Sequence, residues 1–365
     1  MPKFIPGLEL SKGFHTDCVA PILARVFPDL TYAAALMGGG SEVLGLDTEM
    51  SRDHSWGPRL QIFLEPKHDV GFRNKVQDTL SANLPYEYMG YSTSFHTPNP
   101  REKFVTQMIQ KTSGPVDHMV EITNFKLFTQ RYLGFDASTA PSERQWLSAP
   151  GHQLLVTTSG EIFVDQIGLT EQRGAISWYP RDVWLFLLGC IWWRIRRAEQ
   201  VVGRVGLLED ELGASIIAAR IVNDLMRLAF MMEKEYEPYS KWLGTLFGEL
   251  EIAQVLGPQL TDVMNAKGWM ERDRALIAAY ETVAAMHNEL GVTAPIPPEC
   301  EEFRGRGFHV IVADRFARTL FMEVKSRYLS GMFRKGVLGN IDLVTDHVDM
   351  NLSAVEDGPI LKIFE

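Results

Sequence analysis

The sequence has few cysteines and lacks several common catalytic motifs. Its three cysteines, Cys18, Cys190 and Cys300, are far apart and include no CxxC pair. They therefore favour neither a disulfide framework nor a zinc site, and they fit a reducing, intracellular setting. The chain also has no GxSxG nucleophile motif, no GxGxxG dinucleotide motif and no Walker phosphate loop. The usual signatures of serine hydrolases, Rossmann enzymes and P-loop enzymes are thus missing.

No apolar run is long enough for a membrane span. The most apolar one, Val183 to Trp193, is far shorter than the roughly 20 residues that a span needs, and it ends at Arg194. The N-terminus has no continuous apolar stretch behind its positive charge, as a secretory signal would. We therefore expect a buried helix at Val183 to Trp193, and a cytoplasmic protein with no membrane partner.

The charge balance is acidic. The chain of 365 residues has 36 Lys and Arg against 46 Asp and Glu, a net charge of −10. Sequence-independent nucleic-acid binding depends on a basic surface that releases counterions from phosphates. We therefore expect no nucleic-acid partner, although a local basic pocket for a small anion remains compatible with this charge.

Periodicity predicts an α+β fold. Leu10, Phe14, Cys18, Ile22 and Val26 recur every fourth residue, which predicts an amphipathic helix with a kink at Pro21. Arg59 to Leu64 alternates like a half-buried strand, and Val120 to Ile122 is a second strand candidate. Asn83 to Pro100 has the composition of a loop.

The second half has the helical period. Helices are predicted from Pro180, over Leu208 to Glu235 and over Glu271 to Leu290, and Phe308 to Ala313 is predicted to be a brief strand. We therefore expect an N-terminal mixed sheet with flanking helices over 1–140, a mainly α-helical domain over 141–294, and a C-terminal extension packed on the rest over 295–365.

The segment GGGSEVLGLDTEMSRDHSWGPRLQIFL, from Gly38 to Leu64, carries the first chemical signal. Backbone N–H groups of a glycine-serine turn can bind phosphates, and carboxylates spaced two apart on a strand can hold Mg²⁺. Here Asp53 stands at the first acidic position, Ser55 at the second, and Glu121 is a third acid on a later predicted strand. The alternative is an Asx-type turn that leads into the strand.

Two helical segments offer further phosphate ligands. Arg227 follows Arg220 and Asp224 on one helical face, and Lys241 lies in the aromatic segment YEPYSKW. A solvated ion-pair stripe and ordinary aromatic packing are the alternatives. A third group, Asp342, Asp346, His347 and Asp349, matches no calcium loop and is interpreted as a surface cluster.

GGGSEVLGLDTEMSRDHSWGPRLQIFL resembles an uncharacterised family, a domain of unknown function, that is grouped with the polymerase-beta-like nucleotidyltransferases such as the kanamycin and lincosamide enzymes. FIPGLELS, LPYEYMGY, YPRDVWLFLLGCIWWRI and ARIVNDLMRLAFMMEKEYEPYSKWLGTLF extend the resemblance over nearly the whole chain. The resemblance implies a nucleotidyltransferase-like domain over 1–140, followed by a helical domain over 141–294 that closes the substrate cleft.

The resemblance also implies a set of site residues. Gly39, Gly40 and Ser41 would bind the triphosphate. Arg227 and Lys241, which the helical segments suggest independently of the resemblance, are the further phosphate ligands. Asp53, Ser55 and Glu121 would hold Mg²⁺ or Mn²⁺, with Glu121 as the catalytic base. The second metal-binding acid of the superfamily is replaced here by Ser55, and a neutral hydroxyl is a poorer Mg²⁺ ligand than a carboxylate.

The expected function is therefore Mg²⁺-dependent transfer of a nucleoside monophosphate from an NTP, with ATP as the expected donor, to a hydroxyl or amine of a small molecule. The alternative is a degenerate member that binds a nucleotide or metabolite in a regulatory or scaffold role without catalysis. The expected partners are an NTP and a small-molecule acceptor. The sequence specifies neither the acceptor nor the oligomeric state.

Overall fold

The structure is a computed structural model that describes residues 2–98, 106–345, 347–352 and 359–365. The chain divides into two compact units. The first consists of Met1–Pro141 and Val156–Ser177, and the second of Ser142–Leu155 and Trp178–Glu365. The division of the chain into three domains stays a prediction, while the predicted α+β class is confirmed.

The first unit is built around a small mixed sheet. The strands of this unit are β1 (Tyr32–Leu36), β2 (Arg59–Leu64), β3 (Glu87–Tyr88), β4 (Tyr91–Ser92), β5 (Phe95–His96), β6 (Gln107–Met108), β7 (Met119–Thr123) and β8 (Glu161–Asp165). Its helices are α1 (Gly7–Phe14), α2 (Ala20–Val26), α3 (Val70–Asn83), α4 (Phe125–Leu133) and α7 (Leu169–Gly174), with 3-10 turns at Ser41–Leu44 and Glu49–Asp53. Helix α6 (Gly151–Thr158) contains the boundary between the two units.

The four long strands are ordered β7-β2-β1-β8. Strand β1 pairs antiparallel with both β2 and β8, whereas β2 and β7 run parallel. In that parallel pair Arg59 lies opposite Met119, and Gln61 lies opposite Glu121. Because alternate residues of a strand point to the same face, this register places Arg59, Gln61 and Glu121 on one face of the sheet.

The other face of the sheet carries the core of the first unit. Leu60, Ile62 and Leu64 of β2 are buried there against Phe14 of α1 and Val76 of α3, among others. The strand from Arg59 to Leu64 is confirmed with its predicted ends, but its predicted half-burial is wrong, because all six residues are buried. The polar face of β2 is covered by the chain that follows β1.

The predicted N-terminal helix is present, with a change of hydrogen-bonding pattern at its centre. Helices α1 and α2 are joined by a π-helical turn at His15–Val19, directly before Pro21. Proline has no N–H to donate to the carbonyl four residues earlier. A π turn is one way in which a helix accommodates such a missing hydrogen bond. Pro21 therefore accounts for a local widening of the helix.

The loop predicted over Asn83 to Pro100 also contains the short strands β3, β4 and β5. They form two-residue pairs, β3 with β4 and β5 with β6. Asn99 and Pro100 lie outside the described residues. Strands β1 and β8 were not predicted from the sequence.

The second unit is mainly helical. Its helices are α5 (Glu143–Ser148), α8 (Arg181–Gly206), α9 (Glu211–Glu233), α10 (Ser240–Phe247), α11 (Ala253–Asn265), α12 (Trp269–Glu289), α13 (Asp314–Glu323), α14 (Arg327–Lys335), α15 (Ile341–Thr345) and α16 (Val348–Asn351), followed by a 3-10 turn at Pro359–Phe364. The predicted strand near Phe308 is reduced to β10 (His309–Val310), which pairs with β9 (Glu301–Glu302).

The long helices of the second unit confirm the helical prediction. Helix α8 begins after Pro180, as predicted, and its apolar residues from Val183 to Trp192 are buried. Asp210 caps α9 by accepting a hydrogen bond from the N–H of Gly213 at 2.8 Å. Across the described residues, no helix combines the length and the apolar character needed to cross a membrane.

A buried ion pair in the first unit leads to a stability prediction. The side chains of Glu42 and Arg59 are 3% and 8% exposed, and the Nε of Arg59 donates to Glu42 Oε1 at 2.7 Å. Replacing Glu42 with alanine leaves a buried guanidinium without its carboxylate, so we expect a loss of about 3–5 kcal/mol in the free energy of unfolding. Urea denaturation followed by circular dichroism measures this loss.

The matched control is Glu49→Ala. Glu49 is 76% exposed on its side chain and lies 4.0 Å from Arg52, so its ion pair is screened by solvent and its removal should change stability little. Equal urea midpoints for the two variants would contradict a structural role for the Glu42–Arg59 pair.

Candidate active site

The turn after β1 is shaped by glycine. Gly38 has φ 84° and Gly40 has φ 132°, both in the region that L side chains rarely adopt. A Cβ atom at Gly38 would clash with the Tyr132 hydroxyl, and one at Gly40 would clash with the Arg59 guanidinium. The run of glycines is therefore needed for the backbone conformation and for the close approach of these two side chains.

Side chains of the sheet and of α4 hold this turn. The Nη2 of Arg59 donates to the Gly39 carbonyl at 2.6 Å, and the Gly39 N–H donates to the Tyr132 hydroxyl at 3.1 Å. Just before the turn, Gln61 bonds both backbone groups of Met37, at 3.0 and 3.1 Å. These bonds satisfy otherwise buried polar groups and connect the turn to β2.

An open cleft of about 580 Å³ lies beside this turn in the first unit. It is lined by charged and polar side chains of β2, α3, β7 and α4, together with a few apolar ones. They are Arg59, Gln61, Val70, Arg73, Asn74, Gln77, His118, Met119, Val120, Glu121, Ile122, Arg131 and Tyr132. Arg59 and Tyr132 thus contact both the glycine turn and the cleft.

The cleft has an excess of cationic groups. Arg59, Arg73 and Arg131 line it, while Glu121 is the carboxylate in its lining. Glu42 is paired with Arg59 but does not line the cleft. When Glu42 is counted, the three guanidinium groups still outnumber the carboxylates by three to two. Such a cleft attracts an anion, and guanidinium groups bind phosphate and carboxylate oxygens in pairs.

Glu121 is held in the cleft by Arg131. The Nη1 of Arg131 lies 3.2 Å from Glu121 Oε1, and the two side chains are 56% and 33% exposed. An ion pair this exposed is weak and easily exchanged for another partner. Both groups are therefore available to a ligand that enters the cleft.

The other two predicted metal ligands lie before β2, not on it. Asp53 ends the 3-10 turn Glu49–Asp53, and its carboxylate lies 2.9 Å from the Nδ1 of His54. Ser55 has φ 48°, and its hydroxyl accepts a hydrogen bond from Thr106 Oγ1 at 2.9 Å. Neither residue lines the cleft that contains Glu121.

The predicted Mg²⁺ ligands do not line a common cleft, because only Glu121 is in its lining. Asp53 and Glu121 supply carboxylate oxygens of the kind that Mg²⁺ prefers, but each carboxylate has its own partner, His54 and Arg131 respectively. The Ser55 hydroxyl is already bonded to Thr106. In the part of the chain that the structure describes, no three His, Cys, Asp or Glu side chains are grouped to hold a metal ion.

Arg227 and Lys241, the predicted phosphate ligands from the helices, both belong to the second unit. The Arg227 guanidinium is 8% exposed and lies 3.2 Å from the carboxylate of Glu237. Lys241 is the second residue of α10, and its ammonium group lies over the ring of Trp242 at 4.6 Å. Their role in nucleotide binding stays a prediction.

One member of the acidic group near the C-terminus, Asp342, is buried. Asp342 is only 2% exposed and accepts hydrogen bonds from the Gly151 N–H at 2.7 Å and from Asn340 at 2.9 Å. His347 and Asp349 are exposed, and the Nδ1 of His347 accepts from the Asp349 N–H as a helix cap. Asp346 lies outside the described residues. The surface interpretation is therefore wrong for Asp342, whose carboxylate anchors backbone and amide donors.

Sequence reasoning missed the cationic residues of the cleft. Arg59 and Arg131 are 72 positions apart, and Arg73 lies on a helix whose apolar pattern is weak. One signal was present in the sequence, because Arg59 and Gln61 alternate with apolar residues inside a strand that was predicted correctly. A polar face on a buried strand indicates a site or a buried network.

Comparison with known families gives one match. Residues 146–243, about a quarter of the chain, match the family model described as Domain of unknown function (DUF4037). No curated protein matches the chain. The match supports the predicted relation to an uncharacterised family, and the link to polymerase-beta-like nucleotidyltransferases stays a prediction.

His118 lines the cleft, and the pKa of its ring can be measured. Its Nδ1 accepts a hydrogen bond from the Val120 N–H at 3.1 Å, so the ring proton is on Nε2, which lies 3.3 Å from the Gln77 carbonyl. Burial lowers its pKa from the ordinary value of 6.5. We expect a folded-state midpoint below 6.5 in an NMR titration of the ring Cε1–H signal, assigned with a His118→Gln variant.

The same shift affects stability in a definite direction. The unfolded chain takes up the proton first on acidification, so the contribution of His118 to stability is fully present above pH 6.5 and decreases as the pH falls below it. A folded-state midpoint at or above 6.5 would show that the ring is not buried as described.

Proposed function

We propose that the first unit is a nucleotidyltransferase-like domain that binds a nucleotide, with ATP as the representative ligand, through its phosphates and without catalysis. The observation that carries this proposal is the cleft lined by Arg59, Arg73 and Arg131 beside the glycine turn. The role is regulatory or that of a scaffold. It corresponds to the second of the two functions expected from the sequence.

The three guanidinium groups support the proposal in different ways. Arg59 is held rigidly by Glu42 and the Gly39 carbonyl. Arg73 lies on α3 and donates through Nη1 to the His68 carbonyl at 3.0 Å, which leaves its Nη2 side for a ligand. Arg131 exchanges its exposed pair with Glu121 for a phosphate oxygen. A polyphosphate offers enough oxygens to be bound by several of these groups at once.

The size and the remaining lining also suit a nucleotide. A cavity of about 580 Å³ is within the range of ordinary small-molecule sites. Gln61, Asn74 and Gln77 offer amide donors and acceptors for a base or sugar, and Tyr132 offers an aromatic ring. The acidic net charge of the chain disfavours a nucleic acid as the ligand, so a free nucleotide is the better candidate.

The resemblance supports the same proposal. A nucleotidyltransferase-like domain is expected to have a mixed sheet and a glycine-serine turn near a third acid on a later strand. Here the turn follows β1, and Glu121 on β7 lies beside Gln61 of β2. Gly39 is tied to the cleft through Arg59 and Tyr132, which is consistent with a role of Gly39, Gly40 and Ser41 near the phosphates.

Binding of ATP tests the proposal. We expect ATP to bind the full chain in isothermal titration calorimetry, with EDTA present, and adenosine to bind at least about tenfold more weakly, because adenosine lacks the phosphates that the arginines recognise. Arg73→Gln and Arg131→Gln should each weaken ATP binding by about tenfold.

The matched control is Arg25→Gln in the same unit. Arg25 is an exposed residue of α2 that donates to Asn83 Oδ1 at 2.9 Å and does not line the cleft. Its removal should leave the affinity for ATP unchanged. Equal affinities for ATP and adenosine, or an equal effect of all three substitutions, would contradict phosphate recognition in the cleft.

A second candidate function is Mg²⁺- or Mn²⁺-dependent transfer of a nucleoside monophosphate to a hydroxyl or amine of a small molecule. The observation in its favour is that Glu121, the predicted base, lies in the same cleft as the arginines. Asp53 adds a carboxylate that is 65% exposed. The function requires Asp53 and Glu121 to serve one reaction centre, whereas Asp53 is not in the lining of the cleft that contains Glu121.

Pyrophosphate release separates the two functions. If transfer occurs, the wild-type chain incubated with ATP, Mg²⁺ or Mn²⁺ and a metabolite extract should release pyrophosphate, and Asp53→Asn and Glu121→Gln should each abolish the release. Asp29→Asn, an exposed turn residue of the same unit, is the control that should retain it. Binding of ATP without pyrophosphate supports the non-catalytic function, and activity gained only by Ser55→Asp supports it further.

A further inference from the structure

A second polar cavity, of about 140 Å³, lies within the helical unit. It is larger than a site for one water molecule and has room for a ligand of a few non-hydrogen atoms. Its polar lining includes His152, Asn223, Arg227, Glu237, Ser240 and Asp342. Because Ser240 is exposed, the cavity is open to solvent at that residue.

Buried carboxylates outnumber buried cations around this cavity. Glu237 and Asp342 line it, and Asp224 joins the same network from α9 through Arg227 and Arg194. Arg194 lies 3.1 Å from Asp224, and Arg227 lies 3.2 Å from Glu237. Three carboxylates thus share two guanidinium groups.

The pKa values of these three carboxyl groups are raised. Burial raises the pKa of Glu237 to about 7, and the neighbouring carboxylates of Asp342 and Asp224 act in the same direction. Burial also raises the pKa of Asp342 and of Asp224. A carboxyl group whose pKa is raised by burial is costly to ionise, and a positive charge placed beside it would stabilise its carboxylate form.

Two neutral side chains in the lining have an atom without a hydrogen-bond partner in the described structure. They are the Nδ1 of His152 and the Oδ1 of Asn223, both shielded from solvent. His152 is 8% exposed, and burial lowers its pKa to about 4, so its ring is neutral near pH 7. Buried polar atoms in proteins are almost always hydrogen-bonded. The Asn223 oxygen is an acceptor, and the Nδ1 of His152 is an acceptor when the ring proton is on Nε2, so both atoms can accept from a donor in the cavity.

We propose that this cavity binds the primary ammonium group of a small molecule. An ammonium group supplies one positive charge and three N–H donors, which matches the carboxylates of Glu237 and Asp342 and the unpartnered atoms of His152 and Asn223. The ring of Tyr239 lies 4.7 Å from the ring of His152 between centroids and adds an aromatic wall.

An ammonium group fits this lining better than an anion or a metal ion does. An anion would add a charge of the same sign as the surplus carboxylates. A metal ion needs several such ligands together, and no metal-binding group of three His, Cys, Asp or Glu side chains occurs among the described residues. The proposal does not depend on the function proposed for the cleft in the first unit.

Most of the proposed site lies in the segment that matches the domain of unknown function. His152, Asn223, Arg227, Glu237 and Ser240 are within residues 146–243, whereas Asp342 comes from a later part of the chain. The proposed site therefore predicts that this segment contributes to binding an ammonium group, which can be tested.

Ethanolamine and ethylene glycol are a suitable pair of probes. They have nearly the same size, but only ethanolamine carries an ammonium group at pH 7. We expect ethanolamine to bind the full chain with a Kd in the millimolar range or below, measured by saturation-transfer NMR, and ethylene glycol to bind at least about tenfold more weakly. Glu237→Gln should weaken ethanolamine binding by at least about tenfold, because it removes a carboxylate from the lining.

Two further variants make the result interpretable. Glu249→Gln changes an exposed glutamate of the same unit and should leave binding unchanged. Ser240→Phe, at an exposed position of the lining, should block the cavity without altering the buried carboxylates, and it remains informative if Glu237→Gln does not fold. The proposal is overturned if the two probes bind equally, if neither binds, or if Ser240→Phe binds ethanolamine as the wild type does.

Discussion

The buried contact of Arg59 with Glu42 and the Gly39 carbonyl is the interaction on which the first unit's polar site depends. It connects a strand, a glycine turn and a 3-10 turn through one guanidinium group. A buried arginine needs a counter-charge and partners for its donors. Glu42 supplies the counter-charge, and Glu42 and the Gly39 carbonyl accept from Nε and Nη2. The turn must therefore approach β2 closely, which explains why Gly40 has no side chain. One electrostatic requirement thus sets both the backbone of the turn and the wall of the cleft.

The two units contain polar sites of opposite character. In the first unit, Arg59, Arg73 and Arg131 give an open cleft an excess of positive charge. In the second, Glu237 and Asp342 leave a small cavity with surplus carboxylate. Desolvated charges are costly without a partner. We therefore propose that each site binds a ligand of the opposite charge to its own excess. The proposed ligands, a nucleotide and an ammonium group, follow from this difference.

The sequence predicted elements better than it predicted their surroundings. The strand Arg59 to Leu64 and the helix after Pro180 were found from periodicity, since both have strong patterns and clear ends. Strand β1 was missed because its YAAAL segment is buried on both faces and does not alternate. Asp342 was misjudged because its burial comes from partners such as Gly151, 191 positions away in the chain. Local patterns contain no information about such partners.

The sequence by itself determined the α+β class, the main helices, the glycine turn and the acidic balance, because these depend on composition and on neighbours along the chain. Only the tertiary structure decided which of the predicted site residues share a site. It placed Glu121 among arginines, left Asp53 and Ser55 with other partners, and put Arg227 beside Glu237. The physical reason is that charge balance and ligand geometry arise between residues far apart in the chain, and strand register and helix packing bring them together.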